Sequence, residues 1–265
     1  MLGGGAGRAR VSAPSRRNLG GEQVEGRRAV LELLRAGRRR TRDVWMAEGL
    51  DDAGILREIE DRARGAHVRV QRVSRGRLDG EARTTAPQGV LAHADPLEPT
   101  DLDELCRPGD APFLLAVDGV ADPQNLGALL RSAEGAGVTG VVVPRHRAVH
   151  VTATVTKAAA GAVEYLPMAL VAGIPAALAR VRELGVWVVG LDAAGEETLF
   201  GLTLATEPLI LVLGAEGAGL SRLTRQRCDV VVRVPLAGRV ASLNVAAAGA
   251  LALFEVSRQR GATKR

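Results

Sequence analysis

Leu209-Ile-Leu-Val-Leu-Gly-Ala-Glu-Gly-Ala-Gly-Leu220 is the stretch from which the fold can be read. Five consecutive large aliphatics, Leu209 to Leu213, predict a strand buried on both faces of a sheet. The run then breaks into Gly214, Gly217 and Gly219, with a single acid, Glu216, among them. Glycines at the C-terminal end of a strand let the backbone turn tightly and let a ligand approach it closely. In open α/β sheets this is where ligands bind. The spacing is G-x-x-G-x-G rather than the dinucleotide fingerprint G-x-G-x-x-G. Taken alone, the loop reads equally as a ligand cradle and as a plain glycine-rich turn.

Working outward, residues 112–260 alternate strands and helices. Strands are expected at Phe113–Asp118, Gly140–Val143, Tyr165–Leu170, Val186–Gly190, Leu209–Leu213 and Val230–Val234. Helices are expected at Leu126–Gly135, Thr152–Ala159, Ile174–Leu184, Ser221–Arg227 and Val245–Arg258. This alternation predicts an α/β domain with a mostly parallel sheet covered on both faces. Before it, residues 23–95 predict a smaller α/β unit, with a helix from Ala29 to Leu34 ended by Gly37. Strands at Val44–Ala47, Val68–Val73 and Gly89–His93 and a helix at Ile55–Ala63 complete that unit. Residues 96–111, acidic and rich in proline, read as a linker with one helical turn at Leu102–Leu105. Residues 1–22, rich in Gly and Arg with little to bury, read as a disordered basic tail.

Composition narrows the function. Only 2% of residues are aromatic, so the cores must be built from Ala, Val and Leu, and base stacking on aromatic side chains is disfavoured. The formal charge is +5, but residues 1–42 hold eleven arginines against three glutamates, which leaves the rest of the chain at −3. That asymmetry points to a polyanion meeting the N-terminal part, against the alternative of a solvated tail. Cys106 and Cys228 stand far apart and the four histidines form no metal pattern, so neither a zinc motif nor a disulfide framework is expected. No signal peptide and no apolar run long enough for a membrane span are present in this sequence, and a cytoplasmic location is expected.

Two further stretches join the glycine loop. In Asp118-Gly-Val-Ala-Asp-Pro-Gln-Asn-Leu-Gly-Ala-Leu-Leu-Arg131, Asn125 stands where a helix N-cap belongs, and Arg131 lies one turn after Gly127 on the same face. An arginine above a glycine leaves its guanidinium open to a phosphate or carboxylate; the plain alternative is a cap and a surface charge. In Val234-Pro-Leu-Ala-Gly-Arg-Val-Ala-Ser-Leu-Asn-Val245, Ser242 or Asn244 can cap the helix that follows. Ala248, Gly249 and Ala252 on that helix form a stripe of small residues suited either to the core or to a dimer contact.

Together these stretches resemble the SpoU/TrmH family of RNA 2′-O-ribose methyltransferases, of the SPOUT class. Asn125, Gly127 and Arg131 match its first motif. Gly214, Glu216, Gly217 and Gly219 match its second, and Pro235, Gly238 and Ser242 to Val245 match its third. Lys157 to Glu164 is similar to a further family segment, with Ala159 where serine is usual. The resemblance covers about 112–258. Residues 23–95 are similar to the ribosomal-protein-like substrate domain of the large-subunit rRNA branch, with Pro87 where that branch often has histidine before Gln88-Gly89.

The resemblance implies a deep trefoil knot in the C-terminal part and S-adenosylmethionine bound in the knotted loops, with Leu191, Gly214, Gly217, Val234, Leu236 and Leu243 as its contacts. It further implies a catalytic set of Asn125, Arg131, Glu216, Ser242 and Asn244, no metal, and a homodimer. In that set Arg131 takes the hydroxyl proton or binds the adjacent phosphate, the second being favoured by the high pKa of a guanidinium; Asn125 and Asn244 orient the ribose and Arg131, and Glu216 and Ser242 brace the loop. The substrate implied is one ribose, of a guanosine, in 23S rRNA. Alternatives are a tRNA guanosine methylase, an rRNA adenosine methylase conferring antibiotic resistance, and a non-catalytic ribosome-binding factor. A nucleotide-dependent oxidoreductase would need G-x-G-x-x-G after the first strand, where Asp118-Gly-Val-Ala-Asp-Pro123 stands instead.

Overall fold

The computed structural model describes residues 18–51, 54–107, 111–145, 150–239 and 242–261. Most of the expected basic tail, with Arg8, Arg10, Arg16 and Arg17, lies outside them, as do Pro108 and His146.

The first domain carries β1 (Gln23–Glu25), α1 (Arg27–Ala36), β2 (Thr41–Ala47), α2 (Gly54–Gly65), β3 (Arg69–Val73), α3 (Arg75–Glu81) and β4 (Val90–Ala94). Its sheet runs β1-β4-β2-β3, antiparallel except for the β2–β3 pair. The inward stripes of α1 and α2 (Val30, Leu33, Leu34, Leu56, Ile59) pack on one sheet face with Val44, Met46 and Val90. Leu78 of α3 covers part of the other face, with Val73 and Leu91. Two elements of this domain escaped the sequence reading. β1 is only three residues long, and α3 buries one side chain in a run of charges, so neither carries a periodic signal.

A short helix, α4 (Leu102–Leu105), leads into the second domain. There follow β5 (Phe113–Val117), α5 (Pro123–Gly135), β6 (Gly140–Pro144), α6 (Ala153–Ala158), β7 (Met168–Val171), α7 (Ile174–Glu183), β8 (Trp187–Leu191), β9 (Glu197–Thr198), β10 (Leu209–Leu213), α8 (Arg222–Arg225), β11 (Val230–Arg233) and α9 (Val245–Gln259). Seven strands form one sheet in the order β7-β6-β5-β10-β8-β11-β9, every pair parallel.

Alternation along the central strands divides the core between two faces. Phe113, Leu115, Leu209, Leu211 and Leu213 face the layer containing α5, α6 and α9, while Leu114, Ala116, Ile210 and Val212 face that of α4 and α7. The strand expected at Tyr165–Leu170 begins only at Met168, because 162–164 form a 3-10 turn and Pro167 has no N–H to give a ladder. Gly249 and Ala252 settle the small-residue stripe. Both are buried, and a Cβ at Gly249 would meet Leu129 and Leu213, so the stripe lets α9 lie close on α5 and β10 in the core.

Two stretches expected to be loose are built into the fold. Leu19, within the expected tail, is 3% exposed in the second domain's core, and its carbonyl accepts from Val151 N at 3.0 Å. Within the expected linker, Leu97 N donates to Gly20 O, Thr100 N donates to Met168 O, and Leu105 and Cys106 are buried. A few apolar side chains in a polar context suffice for this once backbone partners lie within reach.

Candidate functional site

The glycine loop closes on itself. Ala215 and Gly219 exchange both backbone hydrogen bonds, at 3.0 and 2.9 Å, and Gly217 and Gly219 take the left-handed φ values of 75° and 66° that such a turn needs. Gly214 answers a different demand. A Cβ there would strike the carbonyl of Gly219 and lie 2.5 Å from Leu220 N, so this glycine makes room for the loop's own backbone and not for a ligand. A Cβ at Gly219 would lie 2.5 Å from Asp192 Oδ2. Only at Gly217 is the space around the added atom open.

Asp192 was not singled out from sequence. It follows β8 directly and its carboxylate accepts from Ala194 N at 2.8 Å and Leu220 N at 3.0 Å, tying two loops together. Arg225 Nη1 stands 3.4 Å from it. An acid placed immediately after a buried strand and before Ala-Ala-Gly was the available signal.

These loops enclose a cavity of about 790 Å³ at the C-terminal ends of β8, β10 and β11 and the start of α9. That is within the size range of cofactor pockets. All six residues expected to contact the cofactor line it: Leu191, Gly214, Gly217, Val234, Leu236 and Leu243. Glu216, Ser242 and Asn244 of the expected catalytic set line it too, whereas Asn125 and Arg131 do not. Both cysteines lie off the wall; burial pushes each thiol up to about 11.

Three polar side chains from the three motifs meet beside the cavity. Asn125 Nδ2 donates to Glu216 Oε2 at 3.1 Å, and Asn244 Nδ2 donates to Asn125 Oδ1 at 3.0 Å and to Glu216 Oε1 at 3.4 Å. The orientation of Asn244 is fixed by its capping role: its Oδ1 accepts from Ala246 N at 2.8 Å and Ala247 N at 3.4 Å at the head of α9. This leaves its amide nitrogen for the cluster.

The first motif is arranged differently from expectation. Asp122 is the N-cap of α5, accepting from Gln124 N and Asn125 N, and Pro123 takes the first helical position. Asn125 therefore sits inside the first turn, with its side chain free to reach Glu216. Gly127 is buried against α6, where a Cβ would meet Ala158 and come within 2.9 Å of Val155 O; it serves helix packing and does not open a path to Arg131. Arg131 is exposed. Lys157 and Glu164, at the ends of the fourth similar segment, both reach the first domain instead of the cavity. Among the described residues no group of three His, Cys, Asp or Glu side chains converges as metal ligands would, and no helix is long and apolar enough to cross a membrane.

Two family models match this chain: the SpoU rRNA Methylase family over residues 112–254, and RNA 2′-O ribose methyltransferase substrate binding over residues 23–100. The chain is 42% identical over 243 residues to the 23S rRNA (guanosine-2′-O-)-methyltransferase RlmB of Pseudomonas aeruginosa, a match covering 90% of this chain and 97% of that protein. It is 39% identical over 242 residues to RlmB of Escherichia coli, covering 90% and 99%. It is 37% identical over 243 residues to the putative TrmH family tRNA/rRNA methyltransferase YacO of Bacillus subtilis, covering 90% and 96%. Among solved structures, the SpoU methyltransferase AviRb from Streptomyces viridochromogenes in complex with the cofactor AdoMet matches with a TM-score of 0.75 at 26% identity, covering 91% of each chain.

Proposed function

The chain belongs to the SpoU rRNA methylase family, and on that premise we propose that it methylates the 2′-hydroxyl of one guanosine ribose in 23S rRNA, using S-adenosylmethionine. One observation carries the reading: the loops after β8, β10 and β11 converge on a single cavity, with Asn125, Glu216 and Asn244 bonded together beside it. The cavity fits the cofactor on its own terms. Leu191, Val234, Leu236 and Leu243 offer apolar cover for an adenine, and Gly217 leaves open wall where a side chain would stand. When bound, S-adenosylmethionine supplies a methyl group on a sulfonium sulfur as electrophile.

The protein's own residues then hold the acceptor. Asn125 and Asn244, braced by Glu216, offer amide groups that orient a ribose at the cavity mouth, and holding a nucleophile in line can supply about 7–11 kcal/mol of a barrier. Arg131 binds the phosphate beside the target ribose, and that phosphate assists removal of the hydroxyl proton; a guanidinium is too weakly acidic to serve readily as base.

Arg131 also supports a homodimer. It follows Asn125 by six residues, which in a helix is roughly 9 Å along the axis and about 120° around it, so the two side chains diverge. One turn further on, Gly135 faces Phe254, which is 50% exposed, as Leu251 is 45% exposed on the same helix. An arginine beside an open apolar patch is placed to enter the cavity of a second copy docked on that patch. The insertion of β10 between β5 and β8, with α9 returning across α5, supports the threading of a trefoil knot. The enzyme acts in the cytoplasm, where its rRNA substrate is made.

The test is methylation of purified rRNA and tRNA from a strain lacking the gene. Label in the ribose of a guanosine of 23S rRNA is expected. Label in tRNA alone, or on a base, would sink the substrate assignment.

A further inference from the structure

Between the two domains lies a buried ion pair that no motif announces. Gly37 ends α1 in the left-handed region and turns the chain so that Arg38 and Arg39 face the second domain. Arg39 Nε donates to Glu164 Oε2 at 2.9 Å and Nη2 to Oε1 at 2.6 Å, a two-pronged pairing across the seam. Its Nη1 donates to the carbonyls of Gly21 at 2.7 Å and Asp95 at 2.6 Å, the two ends of the first domain's fold. The side chains are 6% and 1% exposed.

The pair is framed by weaker contacts. Arg38 Nη1 donates to the carbonyls of Glu164 and Tyr165, Tyr165 Oη donates to Glu32 Oε2 at 2.7 Å, and Lys157 Nζ donates to Thr84 Oγ1 at 3.4 Å. Gly161, at φ 90°, lies so close to α1 that a Cβ would collide with that of Glu32. Leu19 and Leu97 continue the contact by backbone bonds that reach Val151.

The physics of such a pair differs from that of a surface bridge. A guanidinium has five donors in a rigid plane, and here four of them are divided among a carboxylate and two carbonyls from three segments. Sliding or tilting one domain on the other would leave a buried charge without its partner, which is heavily penalised. A hydrophobic seam would tolerate small shifts; this one admits a single register. A fixed register also removes the entropy that a tethered domain must surrender each time both parts engage one ligand.

We propose that Arg39 is a positioning residue for RNA methylation, locking the substrate-binding domain onto the catalytic domain so that an RNA gripped by the first presents its target ribose at the cavity of the second. This rests on the methyltransferase reading above.

The test compares the full-length protein with Arg39→Met, Glu164→Leu and the double variant. It measures turnover and KM on a 23S rRNA fragment, cofactor affinity by calorimetry, and the radius of gyration by X-ray scattering without RNA. Arg39→Met is expected to raise KM for RNA at least threefold, leave turnover at saturating RNA and cofactor affinity within threefold, and enlarge the radius. The double variant, which leaves no orphaned charge but also no fixed register, is expected to regain stability while its KM for RNA stays raised at least threefold. A KM raised less than threefold overturns the proposal, and so does activity lost only in proportion to the unfolded fraction. Should Arg39→Met fail to fold, the double variant, which orphans no buried charge, is judged by the same KM threshold. A native protein that methylates no rRNA would defeat the functional reading instead; the seam is then judged by scattering, and an unchanged radius in the variants overturns the lock.

Discussion

Two polar clusters in this molecule look alike on paper and differ in kind. At the cavity mouth, Asn125, Glu216 and Asn244 are joined by bonds of 3.0 to 3.4 Å and stand open to solvent. At the domain seam, Arg39 and Glu164 meet at 2.6 Å with almost no exposed surface. The first cluster keeps its lone pairs and N–H groups within reach of solvent, so its bonds can be exchanged at small cost. The second has spent its donors inside the protein, where exchange has no partner to offer. Accessible polar groups can exchange partners; satisfied buried ones fix geometry.

The largest expected effect breaks the buried side of this comparison. Glu164→Leu alone leaves Arg39 charged and unpaired, and should cost about 3–5 kcal/mol of unfolding free energy in urea denaturation. Recovery of most of that loss in Arg39→Met/Glu164→Leu would show that the orphaned charge, and not lost packing, is the cause. If the single variant lost less than about 1 kcal/mol, the two clusters would not differ as argued.

On the open side, Arg131→Ala should keep the fold and cofactor binding and lose roughly a hundredfold in turnover, about 2.7 kcal/mol of barrier. A variant within threefold of native turnover would reduce Arg131 to a surface charge. Asn244→Ala sharpens the contrast from within one residue. Loss of the α9 cap should cost about 1 kcal/mol of stability, while single-turnover methylation should fall at least tenfold because the ribose is no longer oriented. Methylation within threefold of native beside the expected loss of stability would assign Asn244 to capping alone.

The smallest effect is on the cysteines, which serve as a reference belonging to neither cluster. Burial raises both thiols to about 11, so the folded state holds their protons more firmly than the unfolded one. Their contribution to stability is present below the ordinary thiol range and is lost as pH rises through about 11. Alkylation at pH 8 should be slow in the folded protein and fast in urea. Rapid labelling of Cys228 without denaturant would mean that β8 opens more readily than its packing indicates.

Legibility in the sequence followed the range of the interactions. Leu209–Leu213 was readable to the residue because burial on both faces leaves an unbroken apolar run. The cavity wall was readable through the family resemblance, because its residues are clustered in short motifs. Within the first motif local patterning misled: Asn125 and Asp122 are both competent caps, and Pro123 at the first helical position decides for Asp122. Gly214 read as room for a ligand because a sequence shows that a side chain is missing without showing what stands in its place. Arg39 and Glu164 are 125 residues apart, one among many arginines and the other at the end of an alanine-rich segment, so no local pattern joins them. Asp192 was legible in principle, as an acid directly after a strand, but its meaning depends on a loop 28 residues away.

The burial of Leu19 in the second domain's core has a consequence for synthesis. Leu97 bonds the same segment, but the Leu19 carbonyl accepts from Val151 and its side chain packs in the second domain's core, so full fastening waits while about 130 further residues are made. At bacterial elongation rates that is on the order of ten seconds. During that time the first domain can complete its own sheet, and the strip that leads into it is held by its bonds with Leu97 and Arg39. The first domain is thus finished early with one edge still to be closed, and that edge closes only when the catalytic half arrives.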